Sequence, residues 1–217
     1  MTYPVNVPDR ARLSRRTLAA LATALAAPAA LRSAPIAAQA DPTAAAPFLP
    51  PTPECDDDDS DPTLAQTEGP FFTPDAPERT DLREPGLPGE PLSLAGFVLD
   101  DACRPVPGAL LEFWQADAAG VYDNEGFTLR GHQFSDEEGR WALETVVPGL
   151  YPGRTRHIHV RAQAPAGLLL TTQLYFPDES ANAADGIFDP ALLVEWEETP
   201  SGEPLRARFD FVVEGAA

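Results

Sequence analysis

The stretch Tyr151-Pro-Gly-Arg-Thr-Arg-His157-Ile-His159 combines a turn with the start of a strand, and it leads into an apolar run that ends at Ala162. Successive side chains of a β-strand point to opposite faces, so His157 and His159 share one face while Ile158 turns to the other. Two imidazoles on one face, beside a tyrosine on the preceding turn, are typical of half a metal site. The alternative interpretation is a pair of solvent-facing histidines on a polar strand face.

Short apolar runs bounded by Gly, Pro or Asp recur from Thr67 onward. Partial alternation in 93–98 and 207–212 suits strands with one buried face. The segment 179–198 is less regular and predicts a long loop with a short helix near residues 190–194. Regular short strands with proline-rich turns predict an all-β fold, an antiparallel β-sandwich with long loops. The predicted strands are 92–99, 109–116, 140–147, 157–162, 168–176 and 206–213.

The composition excludes several classes of partner. The 217-residue chain contains no lysine and has a formal net charge of −19, which would repel a phosphate backbone and excludes nucleic acid. The same charge fits anionic membrane surfaces poorly. With 43% hydrophobic residues the chain can form one domain with a substantial core. We find no internal apolar run of about 18 residues or more, the length that a spanning helix needs.

Residues 1–40 have the features of an export signal. Ser14-Arg15-Arg16-Thr17-Leu18 is a twin-arginine pattern, and an alanine-rich apolar stretch follows it. Ala38-Gln39-Ala40 then offers a small-residue cleavage site. An ordinary amphipathic helix is the alternative. We expect periplasmic or extracellular localisation, with no stable membrane association once the leader is removed; retention of the leader as an anchor is the other option.

Residues 41–66 are predicted to form a Pro/Asp-rich linker or arm, disordered or extended, ahead of a β-sandwich domain over 67–217. The arm holds many prolines, the acidic run at 56–59 and little periodicity. Cys55 in the arm and Cys103 in the domain suit a single disulfide in an exported protein. Two free thiols are the alternative, since the sequence does not show that they meet.

A second tyrosine, Tyr122, follows a predicted strand and a turn at Gly120. Like Tyr151, it lies where a sandwich carries its functional loops. A free phenol has a pKa of about 10, so it ligates a metal near neutral pH only when a strongly charged cation deprotonates it. Two phenolates and two imidazoles form a hard, anionic ligand set that suits Fe(III) better than zinc or copper(I). If both tyrosines converge with His157 and His159, the sequence predicts a ferric site with an open position for a chelating substrate.

Several short motifs occur in a fixed order between residues 67 and 176. They are EGPFF at 68–72, PVPGA at 105–109 leading to EFWQA at 112–116, GVY at 120–122, PGLYP at 148–152, HIH at 157–159 and QLYF at 173–176. Together they resemble the intradiol ring-cleavage dioxygenases, the family of protocatechuate 3,4-dioxygenase and catechol 1,2-dioxygenase. The resemblance implies a β-sandwich with a non-haem Fe(III) ion held by two tyrosines and two histidines.

By position, the resemblance makes Tyr122 and His157 the equatorial ligands and Tyr151 and His159 the axial ones. It implies that the axial tyrosinate leaves the iron when a catechol binds and takes up a substrate proton. Arg154 would stabilise negative charge on the substrate, and Gln173 would lie near it. Arg156 is the competing arginine, but on the strand it would share the face of Ile158, away from the histidines. The family match decides for Arg154.

The implied reaction uses O2 to cleave a catechol-type ring between its two hydroxylated carbons, giving a muconate-type diacid. The segment from Tyr151 to His157 is shorter than in the cytosolic enzymes, so the substrate preference does not transfer. The helical N-terminal domain with which catechol dioxygenases dimerise is not recognised, which leaves a homo-oligomer open. Two other hypotheses are a non-catalytic transthyretin-like binding module and a zinc or copper protein that uses His157 and His159.

The remaining aromatic side chains are given structural roles. Tyr175, Trp114 and Phe113 are predicted to lie in the core. Phe71 and Phe72 suit a core position and a pocket lining about equally. His132 matches no ligand position and is predicted to be a surface residue or to stand behind the ligands.

Overall fold

In a computed structural model, which describes residues 61–197 and 199–215, the chain forms two β-sheets. The strands are β1 (Pro91–Leu99), β2 (Leu110–Trp114), β3 (Arg130–Phe134), β4 (Arg140–Val146), β5 (His157–Gln163), β6 (Leu169–Tyr175), β7 (Glu195–Glu197), β8 (Leu205–Arg208) and β9 (Phe211–Val212). One sheet has the order β3-β2-β5-β6; the other has the order β4-β1-β8-β7, with β9 paired to β1. The all-β prediction is confirmed. Pairing is antiparallel except that β8 and β9 run parallel to β1.

Side chains from both sheets form one large apolar core. Leu94 of β1, Phe113 of β2 and Ile158 of β5 are members of this cluster, and each is at most 1% exposed. Because side chains alternate along a strand, the neighbours of Ile158 on β5 project away from this core. The second face of β1 is also buried, since Ala95 and Phe97 are fully inaccessible. The expectation of a single buried face is therefore wrong for β1.

Two strands were not predicted, and one predicted strand is divided. β3 has the sequence Arg-Gly-His-Gln-Phe, which carries no apolar alternation, and it forms the edge of its sheet. β7 is only three residues long. The predicted strand 206–213 is interrupted between β8 and β9, where the Asp210 carboxylate accepts a hydrogen bond from the Phe97 amide at 2.9 Å. The predicted short helix is a 3-10 turn at Pro190–Leu192, and a second one lies at Ser180–Ala184.

The described end of the arm runs along the sandwich. The Thr63 amide donates to the Val212 carbonyl at 3.0 Å, and the Gln66 amide donates to the Thr171 carbonyl at 2.7 Å. Residues 1–60, with the predicted export signal and the acidic run, lie outside the described residues. Cys103 is disulfide-bonded, while the predicted pairing with Cys55 falls outside the described part. Within the described ranges, no helix is long and apolar enough to cross a bilayer.

Candidate metal centre

The register of the four-stranded sheet brings the polar side chains of the site together. Trp114 of β2 pairs with Arg130 of β3 on one side and with His159 of β5 on the other, and His159 pairs with Gln173 of β6. Directly paired residues project to the same face of a sheet. These four side chains therefore form a row across the face that points away from the main core. His157, two residues before His159 on β5 and on the same face, pairs with Tyr175 of β6.

Three predicted ligands converge at this row. The Nε2 atoms of His157 and His159 lie 3.2 Å apart, and the Tyr122 hydroxyl lies 3.1 Å from Nε2 of His157. All three side chains are at most 6% exposed. The prediction that the two histidines share one strand face, with Ile158 in the core, is confirmed.

A glycine lets the loops of the two tyrosines approach each other. Gly120 has a φ of +80°, and a Cβ built on it would lie 2.1 Å from the carbonyl oxygen of Leu150. No side chain fits in that space, and the positive φ adds a conformational cost for any other residue. The Asp117 carboxylate accepts the Val121 amide at 2.9 Å and closes the same turn. Gly120 thus places Tyr122 beside the segment that carries Tyr151.

The hydrogen-bonding capacity of these groups shows that they fit a cation. Nδ1 of His157 lies 2.7 Å from the Thr155 carbonyl oxygen, which can only accept, so the ring proton sits on Nδ1 and Nε2 presents a lone pair. That single lone pair faces both the Tyr122 hydroxyl and Nε2 of His159. Nδ1 of His159 is buried without a partner among the described residues. A metal ion between Nε2 of His157, Nε2 of His159 and the phenol oxygen would accept all three lone pairs.

Burial sets the protonation of the ligands. It lowers the pKa of His157 to about 4 and that of His159 to about 2, so both imidazoles are neutral at pH 7, the form that binds metals. Burial also raises the pKa of the Tyr122 phenol, although the positive charges of Arg154 and Arg130 act in the opposite direction. The phenol therefore keeps its proton until a cation displaces it.

Tyr151 lies at the rim of the cluster. Its side chain is half-buried, and its ring centroid is 6.0 Å from that of Tyr122 in an edge-on arrangement. Its hydroxyl group makes no hydrogen bond to any residue in the described part of the chain. The structure thus brings three of the four predicted ligands into contact and places Tyr151 beside them.

Aromatic side chains pack against the predicted ligands. Phe71 stacks on Tyr122 at a centroid distance of 4.4 Å, and Trp114 stacks on His159 at 4.9 Å with an interplanar angle of 6°. Phe72 packs edge-on against Trp114 at 5.1 Å. Trp114 is buried in a hydrophobic cluster, as predicted, but this cluster includes Tyr122 on the site face and is separate from the main core. Phe71 and Phe72 border this cluster and not the main core. Phe113, the neighbour of Trp114, lies in the main core as predicted.

The two candidate arginines point to different surroundings. Arg154 donates from Nη2 to the Gln173 side-chain oxygen at 2.6 Å, which joins the two predicted substrate-side residues. Arg156 is paired with Glu179 and donates to the Pro148 carbonyl at 2.5 Å. In addition to the larger effect of burial, the positive charge of Arg154 also lowers the pKa values of both histidines.

Tyr175 is fully buried, as predicted for a core residue, but its hydroxyl joins the polar network of the site. It donates to the Gln66 side-chain oxygen at 2.6 Å and accepts from Nη2 of Arg154 at 3.2 Å. His132 lies outside this network, with Nδ1 2.7 Å from the Ala76 carbonyl oxygen. A cavity of about 680 Å³ elsewhere, lined in part by Leu64 and Phe209, does not reach the ligands.

The sequence interpretation missed two charged residues near the site. Arg130 is 1% exposed, and it donates to the Asp123 carbonyl at 2.7 and 3.0 Å and to the Phe71 carbonyl at 2.6 Å, which ties the loop after Tyr122 to the segment before β1. Asp185 is buried against Arg154. Arg130 lies in an unpredicted strand and Asp185 in the irregular segment, so only strand register and loop conformation reveal them.

Comparisons with known proteins identify the family of this chain. The Dioxygenase_C family, described as dioxygenase, matches residues 67–215. The chain is 33% identical over 154 residues to the protocatechuate 3,4-dioxygenase beta chain of Burkholderia cepacia, covering 58% of this chain and 66% of the relative. It is 32% identical over 172 residues to hydroxyquinol 1,2-dioxygenase of Rhodococcus opacus, covering 66% and 57%. The chain thus spans less than two thirds of the length of these relatives.

Solved structures show the same fold. The dioxygenase domain of a dioxygenase carbohydrate-binding protein fusion from the cellulolytic bacterium Streptomyces sp. SirexAA-E superposes with a TM-score of 0.69 at 54% identity, covering 72% of this chain and 100% of that one. The 3-chlorocatechol 1,2-dioxygenase of Rhodococcus opacus 1CP gives 0.66 at 29% identity, covering 70% and 72%. The family match over 67–215, the named relatives and the shared two-sheet fold establish that this chain belongs to the intradiol ring-cleavage dioxygenase family.

Proposed function

We propose that the protein is a non-haem Fe(III) dioxygenase that uses O2 to cleave a catechol-type ring between its two hydroxylated carbons, giving a muconate-type diacid. The observation that carries the proposal is the convergence of the Tyr122 hydroxyl with Nε2 of His157 and of His159, at 3.1 and 3.2 Å, in a member of this family. Two neutral imidazoles and two phenolates are a donor set that suits ferric iron.

The proposed ligands are Tyr122, Tyr151, His157 and His159. Ferric iron, when bound, supplies Lewis acidity that draws electron density from a chelated catechol and makes a ring carbon reactive toward O2. Tyr151, half-buried at the rim, would be the ligand with freedom to move, and its phenolate oxygen would be the base that takes up one catechol proton. The buried Tyr122 has no such freedom and stays in place.

The other side chains of the site bind and orient the substrate, and they exclude water. Arg154 carries a permanent positive charge that stabilises the anionic oxygen of the bound catechol. The side-chain oxygen of Gln173 accepts a hydrogen bond from Nη2 of Arg154. Phe71 and Trp114 cover the faces of Tyr122 and His159 and keep water from the ligands. Positioning and charge stabilisation are thus the contribution of this chain to the reaction.

The names of the relatives support a substrate class, since they include hydroxyquinol, protocatechuate and 3-chlorocatechol dioxygenases. We propose a catecholic small molecule and O2 as substrates. A panel of catechol, hydroxyquinol and protocatechuate, assayed by oxygen uptake and by the ring-opened product, identifies the preferred one. Products cleaved beside the two hydroxyl groups, and not between them, would contradict the intradiol assignment.

The visible spectrum of the purified protein tests the metal site. We expect a tyrosinate-to-Fe(III) charge-transfer band that shifts when catechol is added without oxygen. Tyr122→Phe and Tyr151→Phe should each change the band, whereas the matched control Tyr175→Phe should keep it. His157→Gln should lose iron, whereas His132→Gln should retain it. A protein that stays colourless after reconstitution with Fe(III) would contradict the proposal and favour a binding module.

We also propose that the protein is exported through the twin-arginine pattern at 14–18. The support is the sequence of residues 1–40 alone. Replacement of Arg15 and Arg16 by lysine should hold the protein in the cytoplasm, as measured by cell fractionation. N-terminal sequencing of the exported protein would show whether cleavage follows Ala40. Export that is unaffected by the double substitution would exclude the twin-arginine route.

A further inference from the structure

Asp185 is a buried carboxylate in the loop that follows the 3-10 turn Ser180–Ala184. Its side chain is 1% exposed. Oδ2 accepts Nε of Arg154 at 2.8 Å and the Thr155 amide at 2.9 Å, while Oδ1 accepts the Ile187 amide at 3.1 Å. Burial alone would raise the pKa of Asp185, but these hydrogen bonds hold it below its usual range, so the group is ionised at neutral pH.

The guanidinium of Arg154 is held at two of its three nitrogens. Nε donates to Asp185, and Nη2 donates to the side-chain oxygen of Gln173 at 2.6 Å and to the Tyr175 hydroxyl at 3.2 Å. Nη1 makes no hydrogen bond to any residue in 61–197 or 199–215. Because the guanidinium is planar, fixing Nε and Nη2 also fixes the direction of Nη1. One donor edge of a permanent cation is therefore left unused beside the ligands.

The acceptors of Arg154 come from separate parts of the chain. Gln173 and Tyr175 lie on β6, whose register with β5 fixes them relative to the histidines. Asp185 comes from the following loop, which Gln66 fastens by donating to the Ile187 carbonyl at 2.6 Å. Among the described residues, the sheet thus holds one side of the guanidinium and Asp185 alone holds the other.

We propose that Asp185 is a positioning residue, which fixes the plane of Arg154 so that its free Nη1 edge is presented to the catechol oxygen on which negative charge develops during the reaction. The inference rests on the proposed function, since it concerns the same site. Within the described part of the chain, the Asp185 carboxylate accepts from Arg154, Thr155 and Ile187 and from none of the proposed ligands, so it acts through Arg154. Stabilisation of charge that develops during a reaction depends strongly on such preorganisation.

The neighbouring arginine provides a matched control. Arg156 also pairs with a carboxylate, that of Glu179, and the two side chains are 28% and 24% exposed. Arg156 lies on the same turn-to-strand segment as Arg154, but its guanidinium donates to Glu179 and to the Pro148 carbonyl and not to Gln173. Glu179→Gln therefore removes an arginine–carboxylate pair without releasing Arg154.

The test is a double-mutant cycle of Asp185→Asn and Arg154→Gln in the full-length iron-loaded protein, with Glu179→Gln alongside. Three quantities are measured: the substrate-free visible spectrum, the catechol dissociation constant without oxygen, and kcat. We expect Asp185→Asn to keep the spectrum, to change the dissociation constant by less than about threefold, and to lower kcat by about tenfold or more. In the Arg154→Gln background, Asp185→Asn should lower kcat no further. Glu179→Gln should leave kcat within about twofold of the wild-type value.

Several outcomes would overturn the proposal. Equal losses of kcat from Asp185→Asn with and without Arg154 would show that Asp185 acts by stabilising its loop. An equal loss from Glu179→Gln would show a general effect of removing an ion pair. If Asp185→Asn does not fold, Asp185→Glu serves instead, since it keeps the charge but moves it by one methylene; unchanged kcat in Asp185→Glu would contradict a positioning role. Wild-type protein that binds iron but turns over no catechol would overturn the proposed function itself.

Discussion

The indole of Trp114 lies parallel to the imidazole of His159, with ring centroids 4.9 Å apart and an interplanar angle of 6°. The two residues are direct cross-strand partners on β2 and β5, so the stack follows from the register. Nδ1 of His159 has no hydrogen-bond partner among the described residues to orient the ring. Trp114 therefore restrains the orientation of this proposed ligand, together with the contact between Nε2 of His159 and Nε2 of His157.

Trp114→Leu should lower iron affinity by about tenfold, because groups that orient a metal ligand typically contribute that much. It should also lower the free energy of unfolding by about 2–4 kcal/mol. Competition with a chelator measures the first and denaturant unfolding the second. Phe113→Leu is the control, since Phe113 faces the main core, and it should destabilise the protein without changing iron affinity. Equal iron affinity in wild type and Trp114→Leu would contradict the restraint.

Gly69→Ala should weaken the metal site more than it weakens the fold. Gly69 has a φ of +72°, and its added Cβ would lie 3.2 Å from Cε1 of His159. Gly153→Ala is the matched control, because its φ is +82° and nothing lies within 4 Å of the added Cβ. Both variants should lose about 1–2 kcal/mol of stability from backbone strain. Only Gly69→Ala should also lower iron affinity, as measured by chelator competition; equal iron affinities would show that His159 tolerates the contact.

The iron-free protein should lose stability as the pH falls below about 6.5, the pKa of histidine in an unfolded chain. His157 and His159 have lower pKa values in the folded state, about 4 and about 2, so the unfolded chain takes up protons first. Their contribution is complete above pH 6.5 and should fall by roughly 2 kcal/mol per histidine by pH 5. Urea unfolding at a series of pH values measures this, and the double variant His157→Asn/His159→Asn should lack that part of the slope. The same slope in the double variant would contradict the assignment.

Arg130→Lys should be strongly destabilising although it keeps the charge. The buried guanidinium serves the carbonyl oxygens of Asp123 and Phe71 together, and an ammonium group lacks the planar fork that reaches both. A carbonyl left unpaired costs about 1–3 kcal/mol. Thermal unfolding of Arg130→Lys should show this loss, whereas Arg104→Lys, at an exposed ion pair, should change little. Equal stability of both variants would show that water replaces the lost hydrogen bonds.

The predictions that succeeded rest on local periodicity. The shared face of His157 and His159 needs only the two-residue period of a strand, and that prediction is confirmed. The selection of Arg154 needed the family motif, because parity alone places it on the same face as Arg156. The burial of Trp114 is confirmed, but its membership of a second cluster was not predicted, because apolar composition does not distinguish the two faces of a strand that is buried on both sides.

The residues that were missed depend on non-local structure. Arg130 reaches the site through pairing of β3 with β2, and a strand of polar sequence gives no apolar alternation to predict it. Asp185 approaches Arg154 across a sequence separation of 31 residues, through a loop without a repeating pattern. Neither contact is encoded in spacing, so each required the folded chain.

Strand β5 carries His157 and His159 on one face and the core residues Ile158 and Val160 on the other. A single-residue insertion or deletion within it would exchange the two sets, because the side-chain period is two. Such a change would remove the ligands and the core packing at once. Selection for the placement of the histidines therefore also preserves the core packing, and the reverse holds as well. Insertions and deletions are expected in the turns around β5 and not within the strand. We therefore expect differences in substrate preference among related proteins to arise from changes in these turns, while the length of β5 is kept.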